Sequence, residues 1–314
     1  MALDTATSSF LAQMAGSGAP PTWTLTPQQA RDKGGALIEM IGPGPDMAQI
    51  RDVRVDSDAG GTFEIRVLVP NAEPSAVLVY YHGGGWVVGH IDEFDTLARK
   101  LAVATGAAVV LVNYRKAPEH PHPVPIEDAW SALRWAQENL TWIAGRPVPL
   151  MVGGDSAGGN LAAVVALRAR DRQGPQLALQ ILIYPVTDAD LDTSSYRDPE
   201  NQLMLDRKTM TWFWHHYLAD TAARPGCEAA PLRAASLENL PPAIVLTAEH
   251  DVLRDEGEAY AERLAASGVQ VRCHRFAGQM HGFFTFVNIL PGSDAGIAFV
   301  AESVREIVGK EQAR

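Results

Sequence analysis

Short apolar runs alternate with longer stretches of helical period along most of this chain. Six strands are predicted to come singly: Val77 to Tyr81, Ala108 to Asn113, Leu150 to Val152, Leu179 to Tyr184, Ile244 to Thr247 and Val269 to Phe276. Between them Asp92 to Thr105, Ile126 to Asn139, Leu161 to Arg172 and Arg254 to Ser267 repeat their apolar residues at helical spacing. Continuously apolar strands flanked by helices imply a mostly parallel sheet covered on both faces. Two further strands, Ile50 to Asp56 and Thr62 to Val69, alternate around Asp58-Ala59-Gly60-Gly61, a hairpin signal. The expectation is an α/β fold with eight strands. Residues 3 to 41 read as helices and loops, broken at Pro20-Pro21 and Pro43-Gly44-Pro45. One long interruption, Thr187 to Leu240, carries an acidic loop (Asp188, Asp190, Asp192) and an aromatic helix, Arg207 to Leu218.

The strand at 150–152 runs into Gly153-Gly154-Asp155-Ser156-Ala157-Gly158-Gly159-Asn160, and a helix-forming stretch follows. Gly-x-Ser-x-Gly between strand and helix is the context of a nucleophile elbow. The turn must be sharp, and Gly154 and Gly158 let strand and helix approach. It holds the serine in a strained conformation with its hydroxyl exposed, and the helix N-terminus favours negative charge beside it. The stretch lacks the Lys-Ser/Thr of a P-loop and the spacing of a dinucleotide fingerprint, so it is not a phosphate cradle.

Two more segments bear on the same chemistry. Tyr81-His82-Gly83-Gly84-Gly85-Trp86 follows the strand at 77–81, and consecutive glycines let backbone amides face a substrate. With the residue after the nucleophile, such a loop forms an oxyanion hole, which assigns Gly83, Gly84 and Ala157 as donors. Towards the C-terminus, Asp251 follows one strand and His281 the next. The order Ser156, Asp251, His281 is that of an α/β-hydrolase and differs from the chymotrypsin and subtilisin orders. Glu249 and Asp255 also lie near this loop. Glu249 is too close to the strand end, and Asp255 falls in the first turn of the next helix, where it suits the helix dipole.

His-Gly-Gly-Gly-Trp, Gly-Asp-Ser-Ala-Gly-Gly-Asn, Asp-x-Leu-x-Asp-Glu-Gly and His-Gly-Phe together resemble the bacterial hormone-sensitive-lipase-like esterases. The segment Asn113-Tyr114-Arg115-Lys116-Ala117-Pro118-Glu119-His120-Pro121 is also similar to theirs, and the resemblance runs from about Val77 to Phe284. Asn113 stands where that family usually has Asp, Lys116 where it has Leu, and Val252 where it has Pro. The first change weakens any ion pair with Arg115, and the last leaves the acid loop less rigid. The resemblance implies a core of residues 46–187 and 226–314 under a cap built from 1–45 and 188–225. It also implies a homodimer. The expected activity is hydrolysis of short- to medium-chain acyl esters through a Ser-His-Asp triad. No metal or organic cofactor is required, and the adjacent His215 and His216 face different ways, unlike a ligand pair. The same apparatus could serve an amide, formamide, lactone or carbamate. Some members of the superfamily are ligand receptors that have lost the histidine, and here His281 is present.

The resemblance implies a small-molecule ester as the partner, and composition argues against the larger alternatives. A net charge of −11 over 314 residues argues against nucleic acid and anionic membranes. No window approaches the roughly 18 apolar residues a membrane span needs. The start, Met1-Ala2-Leu3-Asp4-Thr5, lacks the pattern of a signal peptide, and Cys227 and Cys273 are the only cysteines, so a reduced, cytoplasmic protein is expected. Cys273 is expected to pack within its strand. Trp86, Trp212 and Phe283 are expected to contact substrate, Asp155 to support the elbow, and His82 to brace the glycine loop.

Overall fold

The computed structural model describes residues 2–312. Eight strands form one sheet in the order β1-β2-β4-β3-β5-β6-β7-β8. They are β1 (Gln49–Asp56), β2 (Thr62–Val69), β3 (Val77–Tyr81), β4 (Ala108–Asn113), β5 (Leu150–Asp155), β6 (Leu179–Ile183), β7 (Ala243–His250) and β8 (Val271–Met280). β1 pairs antiparallel with β2 and β2 with β4, and every other pairing is parallel. The hairpin between β1 and β2 turns at Gly60 and Gly61, both at positive φ. The eight strands and their mostly parallel pairing are those the periodicity predicts.

Eleven helices are described: α1 (Thr5–Gly16), α2 (Pro27–Arg31), α3 (Gly34–Ile41), α4 (Ile91–Thr105), α5 (Val124–Glu138), α6 (Leu140–Ala144), α7 (Ala157–Asp171), α8 (Ser194–Arg197), α9 (Arg207–Tyr217), α10 (Arg254–Ala266) and α11 (Pro291–Gln312). They cover both faces of the sheet, and the strand pleat explains how. Val77, Val79 and Tyr81 of β3 belong to one apolar cluster with residues of α5 and α7. Leu78 and Tyr80, on the opposite side, join a second with residues of α4 and α11. Period-two alternation thus feeds two cores from one strand. Helix α11 lies beyond the sequence assignments and packs against α4.

Two local expectations change. Cys273 lies in β8, but β8 is an edge strand and leaves its side chain exposed. Arg115 does not look to position 113 for its partner; it forms a two-point pair with the buried Asp128 (2.6 and 2.9 Å). Asn113 instead accepts a hydrogen bond from Lys116 Nζ (2.8 Å), so the two departures from the family pattern satisfy one another. Among the described residues no helix is long and apolar enough to cross a membrane.

Candidate active site

The carboxyl ends of β3, β5, β7 and β8 meet at one edge of the sheet, where ligands bind in open parallel sheets. Ser156 occupies the turn between β5 and α7 at φ 56°, ψ −118°, a strained conformation for a residue with a side chain. Its amide donates to the Ile183 carbonyl (2.8 Å), which fixes the turn against β6. The flanking glycines are steric necessities: a Cβ on Gly158 would overlap the Tyr81 carbonyl, and one on Gly154 would strike both that carbonyl and Gly158.

The loops after β7 and β8 bring two distant side chains to this serine. His281 Nε2 lies 3.1 Å from Ser156 Oγ, and His281 Nδ1 lies 2.7 Å from Asp251 Oδ2. A carboxylate at Nδ1 favours the tautomer with its proton there, leaving Nε2 to accept from the hydroxyl. Asp251 is fully buried, and its other oxygen accepts the Leu253 amide (2.9 Å). Neither neighbouring acid competes. Glu249 accepts the Gly278 amide (2.8 Å), and Asp255, in the first turn of α10, accepts the Ser195 amide (2.7 Å). Val252, where a proline is usual, is itself held: Ser195 Oγ donates to its carbonyl (2.6 Å).

The glycine loop requires a correction. Gly83 N–H donates to Asp155 Oδ1 (3.0 Å), so it is not free to face a substrate. Gly84 and Gly85 sit at positive φ (109° and 57°) and line the cavity beside Ser156. Among the described residues neither of their amides has a protein acceptor. Ala157 heads α7, where the amide has no partner within the helix. The available set is therefore Gly84, Gly85 and Ala157.

Asp155 does more than sit beside Ser156. The same Oδ1 accepts the Tyr80 hydroxyl (2.9 Å), tying β3, β5 and the glycine loop together. Burial pushes its carboxyl up to about 6, against the pull of the Tyr80 and Gly83 donors and of His281. His82 braces the loop as expected. Its ring stacks between Phe94 (4.9 Å) and Tyr114 (4.5 Å), and Nδ1 meets the Gly83 carbonyl at 2.6 Å. Burial holds this imidazole well below its ordinary range, which excludes it as a charged donor near neutrality.

A cavity of about 220 Å³ opens onto Ser156 and His281. Its apolar walls include Phe94, Tyr184, Leu205, Phe213 and Phe286, with Thr22 and Ala30 from the N-terminal segment. None of the three aromatics expected to contact substrate lines it. Trp86 is fully buried because its backbone turns at φ 61° and stacks the indole on Tyr217 (4.1 Å). Trp212 points the other way on α9 and packs against His216 (4.5 Å), while its neighbour Phe213 faces the cavity. Phe283 is buried against Phe276 (5.1 Å) in the core below. Sequence reasoning missed Tyr184, at φ 33°, whose ring lies 4.6 Å from that of His281.

A doubly wound sheet with a strained serine after β5, a histidine after β8 and an acid after β7 defines an α/β hydrolase. A family model described as the alpha/beta hydrolase fold matches residues 78–285, and the chain belongs to that family. It is 44% identical over 227 residues to carboxylesterase NlhH of Mycobacterium tuberculosis, covering 69% of each chain. It is 34% identical over 294 residues to an ethyl acetate hydrolase of Pseudomonas putida, covering 91% of this chain and 92% of that one. Among solved structures, an ester hydrolase from the metagenome of Lake Arreo superposes with a TM-score of 0.91 at 33% identity, covering 96% and 98%. The chain is thus a bacterial hormone-sensitive-lipase-like esterase, a carboxylic ester hydrolase.

Proposed function

We propose that this enzyme is a serine carboxylesterase for small, short- to medium-chain acyl esters, acting through an acyl-enzyme. The observation that carries this reading is the pair of contacts made by His281, 3.1 Å to Ser156 Oγ and 2.7 Å to Asp251. His281 Nε2 takes the proton as Ser156 Oγ attacks the ester carbon, and the carbonyl oxygen gains negative charge. The amides of Gly84, Gly85 and Ala157 donate to that oxygen. The imidazolium then protonates the departing alkoxide. Water repeats the sequence: His281 removes its proton, hydroxide adds to the acyl carbon, and Ser156 leaves with the proton returned. Asp251 orients the ring and stabilises its charged form throughout.

A cavity of about 220 Å³ with apolar walls suits a short acyl chain, and a roof made by Thr22, Ala30, Leu205 and Phe213 supports the two-part cap. A serine-directed phosphonate should label the protein once, at Ser156. Ser156→Ala should abolish ester hydrolysis with the thermal midpoint nearly unchanged. Labelling elsewhere, or turnover in the alanine variant, would remove the assignment.

A further inference from the structure

Arg31 ends α2 in the N-terminal segment, yet its guanidinium reaches the loops beneath the glycine turn. Nε donates to the Val87 carbonyl (2.8 Å) and Nη2 to the Ala117 carbonyl (2.7 Å). Nη1 and Nη2 also form a two-point pair with Glu119 (2.8 and 2.7 Å). Val87 and Ala117 are fully buried, and among the described residues no backbone amide serves either carbonyl. Losing the guanidinium would leave two buried acceptors without a donor.

Those two carbonyls belong to one tied structure. The amides of Val87 and Val88 both donate to the Gly84 carbonyl (3.0 and 2.9 Å), which sets the turn presenting Gly84 and Gly85. The Ala117 amide donates to the Trp86 carbonyl (2.9 Å), joining this turn to the loop after β4. Arg31 closes the outer side of both. Its neighbour Ala30 lines the cavity. One side chain therefore fixes the cavity roof and the oxyanion turn together. A lysine could not do this, because the contacts use a planar fork that meets a carboxylate and two carbonyls at once. The hydrogen bonds from Arg31 hold the Glu119 carboxyl down to about 2, so it is a carboxylate well below neutrality.

We propose that Arg31 is a positioning residue for the oxyanion turn, coupling the seating of the N-terminal segment to stabilisation of the tetrahedral intermediate. The proposal rests on the serine-esterase reading above. Other anchors of the same segment lie away from the turn, such as Thr96 Oγ1 donating to the Gly42 carbonyl (2.7 Å). They hold the segment to the core without touching the glycines, and they supply the control.

The test compares wild type, Arg31→Ala, Arg31→Lys and Thr96→Val, each normalised by phosphonate titration of active sites. The readouts are kcat and KM on a p-nitrophenyl ester, inhibition by a trifluoromethyl ketone, and the thermal midpoint. Ser156 Oγ adds to the ketone carbon, its proton passes to His281, and the ketone oxygen becomes an oxyanion in the hole. Arg31→Ala should lower kcat about 10- to 100-fold and weaken the ketone by a similar factor. Its KM should stay within about threefold. Arg31→Lys should recover only a minor part of the loss. Thr96→Val should lower the thermal midpoint and leave kcat and ketone affinity alone. If Arg31→Ala loses thermal stability but keeps both, the residue is only a structural tie and the proposal is overturned. If wild type itself neither titrates with phosphonate nor binds the ketone, the serine-esterase reading has failed, and the proposal falls with it.

Discussion

The carboxylate of Asp155 takes the Gly83 amide at 3.0 Å, and that contact leaves Gly84 and Gly85 as the glycines of the loop whose amides have no protein acceptor among the described residues. The bond commits the first amide to the fold, while Gly84 and Gly85 line the cavity beside Ser156. A Cβ on Gly83 would collide with the Asp155 carboxylate, so the residue is glycine for packing.

Gly85→Ala follows directly. Gly85 sits at φ 57°, and an added Cβ would overlap the Phe213 ring. The turn must shift, and its amide with it. Turnover should fall by about 10²–10³, the usual cost of one lost oxyanion donor. Steady-state kinetics on p-nitrophenyl acetate checks this, and activity within a fewfold of wild type would exclude Gly85 from the hole.

Asp251→Asn should reduce turnover by about 10⁴, because the amide supports the wrong tautomer of His281. Glu249→Gln should cost far less, since Glu249 accepts the Gly278 amide instead of facing the imidazole. A larger loss from the glutamine variant would show that the acid is misassigned.

Asp155 also sets a pH dependence of stability. Its carboxyl is raised by burial from 3.8 to about 6, so between these values the unfolded chain releases the proton first. The favourable contribution is complete below about pH 4 and is lost as pH rises through about 6. At about 1.4 kcal/mol per unit, the difference is roughly 3 kcal/mol. Asp155→Asn removes the titration while keeping an acceptor for Tyr80 and Gly83. Denaturant melts from pH 3.5 to 7 should therefore show wild type losing stability relative to the variant across that window. Parallel curves would place the Asp155 carboxyl near its ordinary value.

Acyl length is limited by the cavity. Each methylene that stays buried contributes about 0.8 kcal/mol, so kcat/KM should climb with chain length until a space of about 220 Å³ is filled. The optimum should fall between acetyl and hexanoyl, without activation at a lipid interface. An optimum on long-chain triglycerides would recast the enzyme as a lipase.

Much of this was legible in the sequence because it is local. Strands announce themselves by apolar runs, and the elbow needs small residues two positions either side of Ser156. What the sequence hid depends on pairings across the fold. Asp155 and Gly83 are 72 positions apart, and nothing in the glycine loop says which amide a buried carboxylate will claim. Trp86 looks like a rim residue until its positive φ and the Tyr217 ring are seen together. Phe213 and Trp212 are adjacent on α9, and only the docking of that helix selects the one that lines the cavity. The sequence assignments end at Phe284 and leave α11 out, although Ile297, Val300, Val304 and Ile307 recur at helical spacing. That stripe carries no chemistry and was readable on period alone.

The cavity is lined by residues from Thr22 to Phe286, so almost the whole chain must be in place before it exists. Contacts of such sequence separation carry the larger loop-closure cost, which must be met before the contacts themselves reward it. A chain held on a ribosome with its last quarter unmade has no His281 and no floor to its pocket, however well β1 to β6 have paired. Turnover therefore has to wait for the end of the chain, because Asp251 and His281 follow β7 and β8, the last two strands to be made.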